Sequence, residues 1–467
     1  MFIETDPMLS TDSYKLCHHA LYPKGLEIMQ SHLAARVPYG IPITSFGVQY
    51  YAKMLAKAKP KPYKTSWARN YTNKHIFGNK DVFNEYDWVE ISNLGYLPVE
   101  IWAYPEGTRV QGGDPIMVVQ NSTPGKFPWL VNHLETFLSR VWYPMTIATN
   151  SKSIYKSIIP FMESTTDLTK DEIKAMTLLK VHDFGSRGVS SSETAALGAA
   201  AHLLTFDGSD TIEGDLLIRN FYTDTRKGKG KPMPKSTSIV ATEHSVMTMR
   251  GIAGELEVFK ELLKKFPDGP VACVIDSFDW VNFIVGISEN EEIMEMMEAR
   301  QYPVIFRPDS GDPVVTTEKL FNLLFDKFGG YLNRKGYKVL SKNVQIIQGD
   351  GINKEMIIKI LQNFKDNYIS AQSIGFGSGG GLLQKFDRDT FKFAFKCNWV
   401  RMNGVGVDVY KSPMEFNSDG EYVQSFKKSI KGYLNPKTLG MQLVYKDGVH
   451  YNEEEFITIK ERIHDTL

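Results

Sequence analysis

The stretch Val344-Gln345-Ile346-Ile347-Gln348-Gly349-Asp350-Gly351, followed by residues 354–364 with Ile357, Ile358 and Leu361 at three- and four-residue spacing, decides the fold. A short apolar run of strand length, a Gly/Asp break and an amphipathic helix together make one βα unit. The same order recurs from about residue 175 onward. Runs at 178–181, 238–241, 271–275, 303–306 and 369–374 alternate with polar or glycine-rich breaks and with helical patterns such as 291–300 and 317–328. Crossover helices require parallel strands, so the middle of the chain is expected to be an α/β core. Asp276, Asp309 and Asp350 each follow one of these runs by one to three residues. That places carboxylates at the carboxyl ends of parallel strands, where barrels and open α/β sheets keep their active sites.

Outward from that core the pattern changes. Residues 1–150 carry many aromatics and prolines, a strand pattern at 97–104, a turn at Gly112-Gly113 and a helical pattern at 129–143. After Asp387 the reading turns to β again, at 391–401 and 405–410. The expected organisation is a catalytic α/β core at 151–386, flanked by a mainly β (α+β) domain to which 1–150 and 387–467 both contribute. A length of 467 residues agrees with two large folding units or three of roughly 150 residues.

Lys+Arg and Asp+Glu both number 54, and the hydrophobic fraction is 42%, so a disordered chain is excluded for most of the length. A neutral balance supplies no general field for polyanions, and no nucleic-acid partner is expected. The basic stretch at 226–235 lacks the aromatics of a nucleic-acid loop and reads as a solvated connection. Cys17, Cys273 and Cys397 are odd in number and far apart, without a metal-binding spacing, which suggests a reducing compartment. The first ten residues lack the order of a secretory signal, and no run approaches the length of a membrane span. The expectation is a cytoplasmic protein without a membrane partner.

The sharpest local signal is Gly375-Phe376-Gly377-Ser378-Gly379-Gly380-Gly381, after a strand pattern. Such a loop can bring backbone N–H groups against a phosphate, because glycine reaches positive φ and puts no side chain in the way. A dinucleotide fold would need an acidic residue about 20 positions on, and 395–398 read Phe-Lys-Cys-Asn. The alternative is a flexible turn. Arg187, Arg307 and Arg388 stand at strand or loop ends beside Gly and Asp, where they can offer paired donors to phosphate or serve as surface ion-pair partners. Asp309 and Asp350 are candidate acceptors for ribose hydroxyls or, alternatively, turn-forming aspartates. His244 ends one run and Asp276 ends the next; a carboxylate can hold such a histidine in one tautomer as a nucleophile or proton carrier. His202 lies in an alanine-rich helix opened by a capping-box pattern at 190–193 and reads as structural.

Taken together, Thr11-Asp12-Ser13-Tyr14-Lys15, His182-Asp183-Phe184-Gly185, Arg187-Gly188-Val189-Ser190-Ser191, Glu243-His244-Ser245, Arg307-Pro308-Asp309-Ser310-Gly311, Gln348-Gly349-Asp350-Gly351 and Phe376 to Lys385 resemble the nicotinamide phosphoribosyltransferases. These are type II enzymes of the nicotinate phosphoribosyltransferase-like family, and the order and spacing match along nearly the whole chain. The resemblance implies an irregular α/β barrel plus a mainly β domain, in a homodimer with active sites at the subunit interface. It implies a reaction of nicotinamide with phosphoribosyl diphosphate and Mg²⁺, giving nicotinamide mononucleotide and diphosphate in NAD salvage. The metal would be held mainly through the diphosphate. Carried over by position, Phe184 would stack on the pyridine, with Tyr14 and Asp12 entering from the other subunit. Asp210 would accept from the carboxamide and repel the like charge of nicotinate. Arg187, His244 and Arg307 would bind diphosphate, and Arg307 and Asp309 would meet the ribose. Gly349, Asp350, Gly379, Gly380 and Arg388 would complete the mononucleotide site, with Lys396, and less directly Arg36, on its diphosphate side. His244, oriented by Asp276, would take a phosphate from ATP as the coupling co-substrate. Two departures stand out: Ser186 replaces a tyrosine of close relatives, and the region of Arg36 is less basic than in the family.

Overall fold

The computed structural model describes residues 6–77, 82–222, 235–424 and 430–467; the basic stretch thus lies outside the described residues apart from Lys235. The chain divides into two compact units. One comprises Asn150–Arg219, Lys229–Lys385 and Ile463–Leu467, and the other Met1–Thr149, Asn220–Gly228 and Phe386–Arg462.

The first unit is built on six strands, β1 (Val181–Asp183), β2 (Val240–Ala241), β3 (Val271–Val274), β4 (Val304–Arg307), β5 (Val344–Gln348) and β6 (Ile374–Ser378). They pair in the order β1-β6-β5-β4-β3-β2, all parallel. Parallel bridges of Asp183 with Ser209 and of Gly208 with Thr237 carry the pairing on from β1 to the segment that leads into β2. The sheet thereby curls into an irregular α/β barrel. Its crossover helices start where the side-chain chemistry dictates. Asp312 accepts from the N–H groups of Val314 and Val315 and opens Pro313–Phe328, with proline in the first turn. Asn353 caps Lys354–Asp366 through the N–H of Met356, and that helix buries Ile357, Ile360, Leu361 and Phe364.

Three local expectations shift. Leu178 ends the helix Lys170–Leu178, which Thr169 and Glu172 open with a full capping box, so the strand begins only at Val181. The alanine-rich helix Ser192–Leu203 is capped by Ser191, not Ser190. Ala371–Ser373 is a 3₁₀ turn, and the strand is the glycine-bearing Ile374–Ser378 rather than the run before it. His202 is fully buried between Ser151 Oγ and the Val181 carbonyl, a structural histidine.

The second unit holds a seven-stranded antiparallel sheet, in the order Val405–Asp408, Phe393–Met402, Leu26–Ala35, Pro115–Asn121, Val99–Ala103, Gln442–Lys446, Val449–His450. Three strands from the N-terminal part of the sequence form its centre, and two from the C-terminal part flank them on each side. A buried polar network crosses its centre, with Asn398 Nδ2 donating to Gln30 Oε1 at 2.8 Å and His32 Nδ1 at 3.1 Å from Asn398 Oδ1. The helical pattern at 129–143 proves to be two short helices, Leu130–His133 and Glu135–Ser139, and the start of Trp142–Thr165. Among the described residues no helix is long and apolar enough to cross a membrane.

Candidate active site

Where β1 ends, the Phe184 N–H donates to the Ser378 carbonyl at 2.9 Å, and the ring lies across β6. A Cβ on Gly377 would fall 1.9 Å from Phe184 Cε2, so this strand must be bare where the ring crosses it. Just past the end of neighbouring β5, a Cβ on Gly349 would meet Asp309 Oδ1 at 3.3 Å, Arg307 Cδ at 3.6 Å and Phe184 Cε2 at 3.8 Å. An aromatic face, a cation and a carboxylate therefore converge on one exposed patch of backbone. None of the glycines from 375 to 381 has positive φ. Their role here is close approach, not left-handed conformation: a Cβ on Gly381 would lie 2.3 Å from the Ile352 carbonyl oxygen, and one on Gly379 3.4 Å from the Phe184 carbonyl oxygen. Gly380 faces open space and begins the short helix Gly380–Leu383, where the first N–H groups have no intrahelical acceptor.

Asp183 ties two loops together. Its fully buried carboxylate accepts from the Gly185 N–H at 2.7 Å and from Ser209 Oγ at 3.1 Å. Burial pushes this carboxyl up to about 6, partly offset by those hydrogen bonds and reinforced by the nearby charge of Asp210. Asp210 itself is exposed, donates its N–H to the Asp183 carbonyl at 2.9 Å and accepts from Ser238 Oγ. Burial lowers His182, and Asp210 opposes that shift.

Across the barrel, His244 begins the helix His244–Thr248, and its Nε2 lies 3.0 Å from Asp276 Oδ1. Asp276 Oδ2 accepts from the Asp309 N–H, also at 3.0 Å. Burial alone would raise the Asp276 carboxyl, but hydrogen bonds from Ser310, His244 and the Asp309 amide outweigh it and hold the group below its ordinary value. Asp276 thus links the histidine to the Arg307–Asp309 turn. Among the described residues Arg307 Nε, Gln348 Oε1 and Ser277 Oγ are buried without a hydrogen-bond partner, polar atoms that a polar ligand could satisfy.

Arg187 is exposed on the 3₁₀ turn Ser186–Gly188, whose Ser186 Oγ donates to Glu213 Oε1 at 3.0 Å. A Cβ on Gly188 would lie 3.3 Å from the Gly380 nitrogen, so the arginine turn abuts the glycine run. Asp350 is exposed beside Gly349, ahead of Gly351 at φ 66°. The remaining candidates belong to the other unit. Asp12 Oδ2 accepts from Thr136 Oγ1 at 2.6 Å, Tyr14 is 59% exposed, and Arg388 is exposed with Asp389 at 3.4 Å. Lys396 stands opposite His32 in the sheet; burial lowers its ammonium, with Arg36, Lys411 and Lys15 adding to that shift and Glu135 opposing it.

Sequence reasoning did not single out Asp183, Gly377, Ser238 or Ser310. Asp183 had a visible signal, an acid closing a strand just before a turn glycine; Ser238 had none. A separate cavity of about 410 Å³, lined by Lys180, His182, Ser238, Pro270, Pro303 and Gln345 among others, lies towards the amino ends of the barrel strands and takes in none of Phe184, Asp210, Arg307, Asp309 or Gly349. Among the described residues no group of three or more His, Cys, Asp or Glu is placed to hold a metal ion. A divalent ion would fit here only as part of an anionic ligand that brings its own oxygens.

The profile of the nicotinate phosphoribosyltransferase (NAPRTase) family matches residues 179–431, and that of the nicotinamide phosphoribosyltransferase N-terminal domain matches 6–101. A nicotinamide phosphoribosyltransferase of Xanthomonas campestris pv. campestris (strain 8004) is 39% identical over 414 residues, covering 87% of this chain and 84% of that protein. One of Acinetobacter baylyi is 30% identical over 467 residues, covering 93% and 88%. The solved nicotinate-nucleotide pyrophosphorylase of Pyrococcus furiosus aligns with a TM-score of 0.58 at 14% identity, over 100% of this chain and 97% of that one. Human nicotinic acid phosphoribosyltransferase aligns at 0.54 and 14%, over 98% and 93%. At such identity these structures speak for the fold alone. A family profile over more than half of the sequence, with relatives of 30% identity or more along most of it, makes the chain a phosphoribosyltransferase belonging to the nicotinate phosphoribosyltransferase family.

Proposed function

We propose that this enzyme joins nicotinamide to phosphoribosyl diphosphate, releasing diphosphate and nicotinamide mononucleotide for NAD salvage. The observation that carries the reading is the convergence of Phe184, Arg307 and Asp309 on the bare backbone of Gly349. The ring gives a flat apolar face to a pyridine, and the carboxylate and guanidinium suit a phosphorylated ribose. The names of the curated relatives support the same base. Asp210 accepts the carboxamide N–H₂ and repels nicotinate.

In the reaction the pyridine nitrogen forms a bond to the anomeric carbon as the bond to diphosphate oxygen breaks. The nitrogen brings a lone pair and loses no proton, so no general base is needed. Positive charge grows on the sugar beside Asp309, while Arg307, Arg187 and His244 receive the departing negative charge. Arg307 and Arg187 face that leaving group, and Mg²⁺, were it carried in with the diphosphate, would add further neutralisation. Gly349, Asp350, Gly379 and Gly380 complete the nucleotide side of the barrel site. A homodimer, with Asp12 and Tyr14 of each subunit serving the other's site, completes the reading.

ATP coupling is proposed through His244. With Nε2 hydrogen-bonded to Asp276, the neutral imidazole carries its lone pair on the other ring nitrogen. That nitrogen attacks the γ-phosphorus, the bond to ADP oxygen breaks, and the phosphohistidine later yields its phosphate to water. The assay that tests the reading supplies purified protein with phosphoribosyl diphosphate, Mg²⁺ and either base. Mononucleotide is expected from nicotinamide at a kcat/KM at least tenfold above that for nicotinate; comparable values would contradict it.

A further inference from the structure

Asp210 is held from two directions. Its N–H donates to the Asp183 carbonyl at 2.9 Å, and Oδ1 accepts from Ser238 Oγ. Among the described residues, Oδ2 has no hydrogen-bond donor. Ser238 reaches this position because of how the barrel curls. Thr237 pairs with Gly208 in a parallel bridge, the Ser209 N–H donates to the Thr237 carbonyl at 3.1 Å, and the Thr237 N–H donates to the Asp207 carbonyl at 2.7 Å. Those bonds fix the register that puts residue 238 beside residue 210.

We propose that Ser238 is a specificity-positioning residue for the transfer reaction: its hydroxyl occupies Oδ1 of Asp210, sets the plane of the carboxylate and leaves Oδ2 as the single acceptor offered to the base. This rests on the reading of Asp210 given above. A carboxylate free to turn can swing away from an incoming nicotinate and relieve the repulsion; one pinned by Ser238 cannot. The same pinning places the acceptor in advance for the carboxamide, so its loss weakens nicotinamide binding.

The test compares Ser238→Ala and Ser238→Thr with the unaltered enzyme on both bases. In Ser238→Ala, the KM for nicotinamide is expected to rise about fivefold and the nicotinamide-to-nicotinate ratio of kcat/KM to fall by a similar factor, the scale of one ordinary hydrogen bond. The KM for phosphoribosyl diphosphate and the melting temperature stay at their original values, and Ser238→Thr, which keeps the hydroxyl, restores the ratio. An unchanged ratio in Ser238→Ala overturns the proposal, as does an equal rise in both substrates' KM that threonine does not reverse. If the unaltered enzyme takes nicotinate as readily as nicotinamide, the reading of Asp210 itself falls, and this inference with it.

Discussion

Gly377 and Gly349 decide where the Phe184 ring lies, and the lack of a side chain is the property that matters. Gly377→Ala would set a methyl 1.9 Å from the ring carbon and force Phe184 off the strand. The KM for nicotinamide is expected to rise about three- to tenfold, the scale of one lost aromatic stacking contact; an unchanged KM would place the base elsewhere. His244 and Asp276 form the second residue-level pair, 3.0 Å apart. After incubation with γ-labelled ATP, an acid-labile phosphate is expected on the protein and absent from His244→Ala; a label that survives this substitution puts the acceptor elsewhere. His244 and Asp276 were legible because each closes an apolar run. Gly377 was not, because its demand comes from a ring nearly two hundred residues away in sequence.

Among the elements, β1 and β6 are joined by more than their ladder. Lys180, just ahead of β1 and almost wholly buried, donates through Nζ to the carbonyls of Ala371, Gln372 and Ile374 at 2.8, 2.9 and 2.6 Å. Three carbonyls at the entry to a glycine-bearing strand thus find their donor in one side chain. Lys180→Met keeps the stem but strands those acceptors, and a loss of about 2–4 kcal/mol is expected from the denaturant midpoint; a loss below 1 kcal/mol would mean water serves as well. The strands β3, β4 and β5 could be read to within a residue because their runs are predominantly apolar, as buried parallel strands require. The strand β6 was displaced onto the preceding run, since a strand with Gly375 and Gly377 carries too little apolar signal. The two-residue β2 was drawn too long at 238–241; the pairing just ahead of it is the single bridge of Thr237 with Gly208, a contact between distant segments that no local pattern marks.

At the scale of the whole molecule, both ends of the sequence meet in one antiparallel sheet, and the same unit buries an acid. Glu106 is 4% exposed and accepts from the Gln49 N–H at 2.8 Å. Burial pushes its carboxyl from the ordinary 4.5 up to about 8, with the charge of Glu454 adding to the rise and the Gln49 N–H resisting it. The folded state therefore keeps this proton longer than the unfolded chain does. Its stabilising contribution is complete below pH 4.5 and is lost as the pH rises towards 8. The melting temperature is expected to fall across that window, and in Glu106→Gln to fall less steeply; equal slopes would mean the acid is solvated. Sequence reading could place the two terminal segments together as β-rich flanks. It could not find Glu106, whose burial depends on Gln49 and Glu454, far apart along the chain.

The convergence at Gly349 and the tethering of Asp210 meet in a single observable, the position of the bound base. A crystal structure of the enzyme with nicotinamide is expected to show the pyridine stacked on Phe184, with the carboxamide nitrogen within hydrogen-bond distance of Asp210. A ring bound away from Phe184, or a carboxamide turned from Asp210, would contradict the assignment.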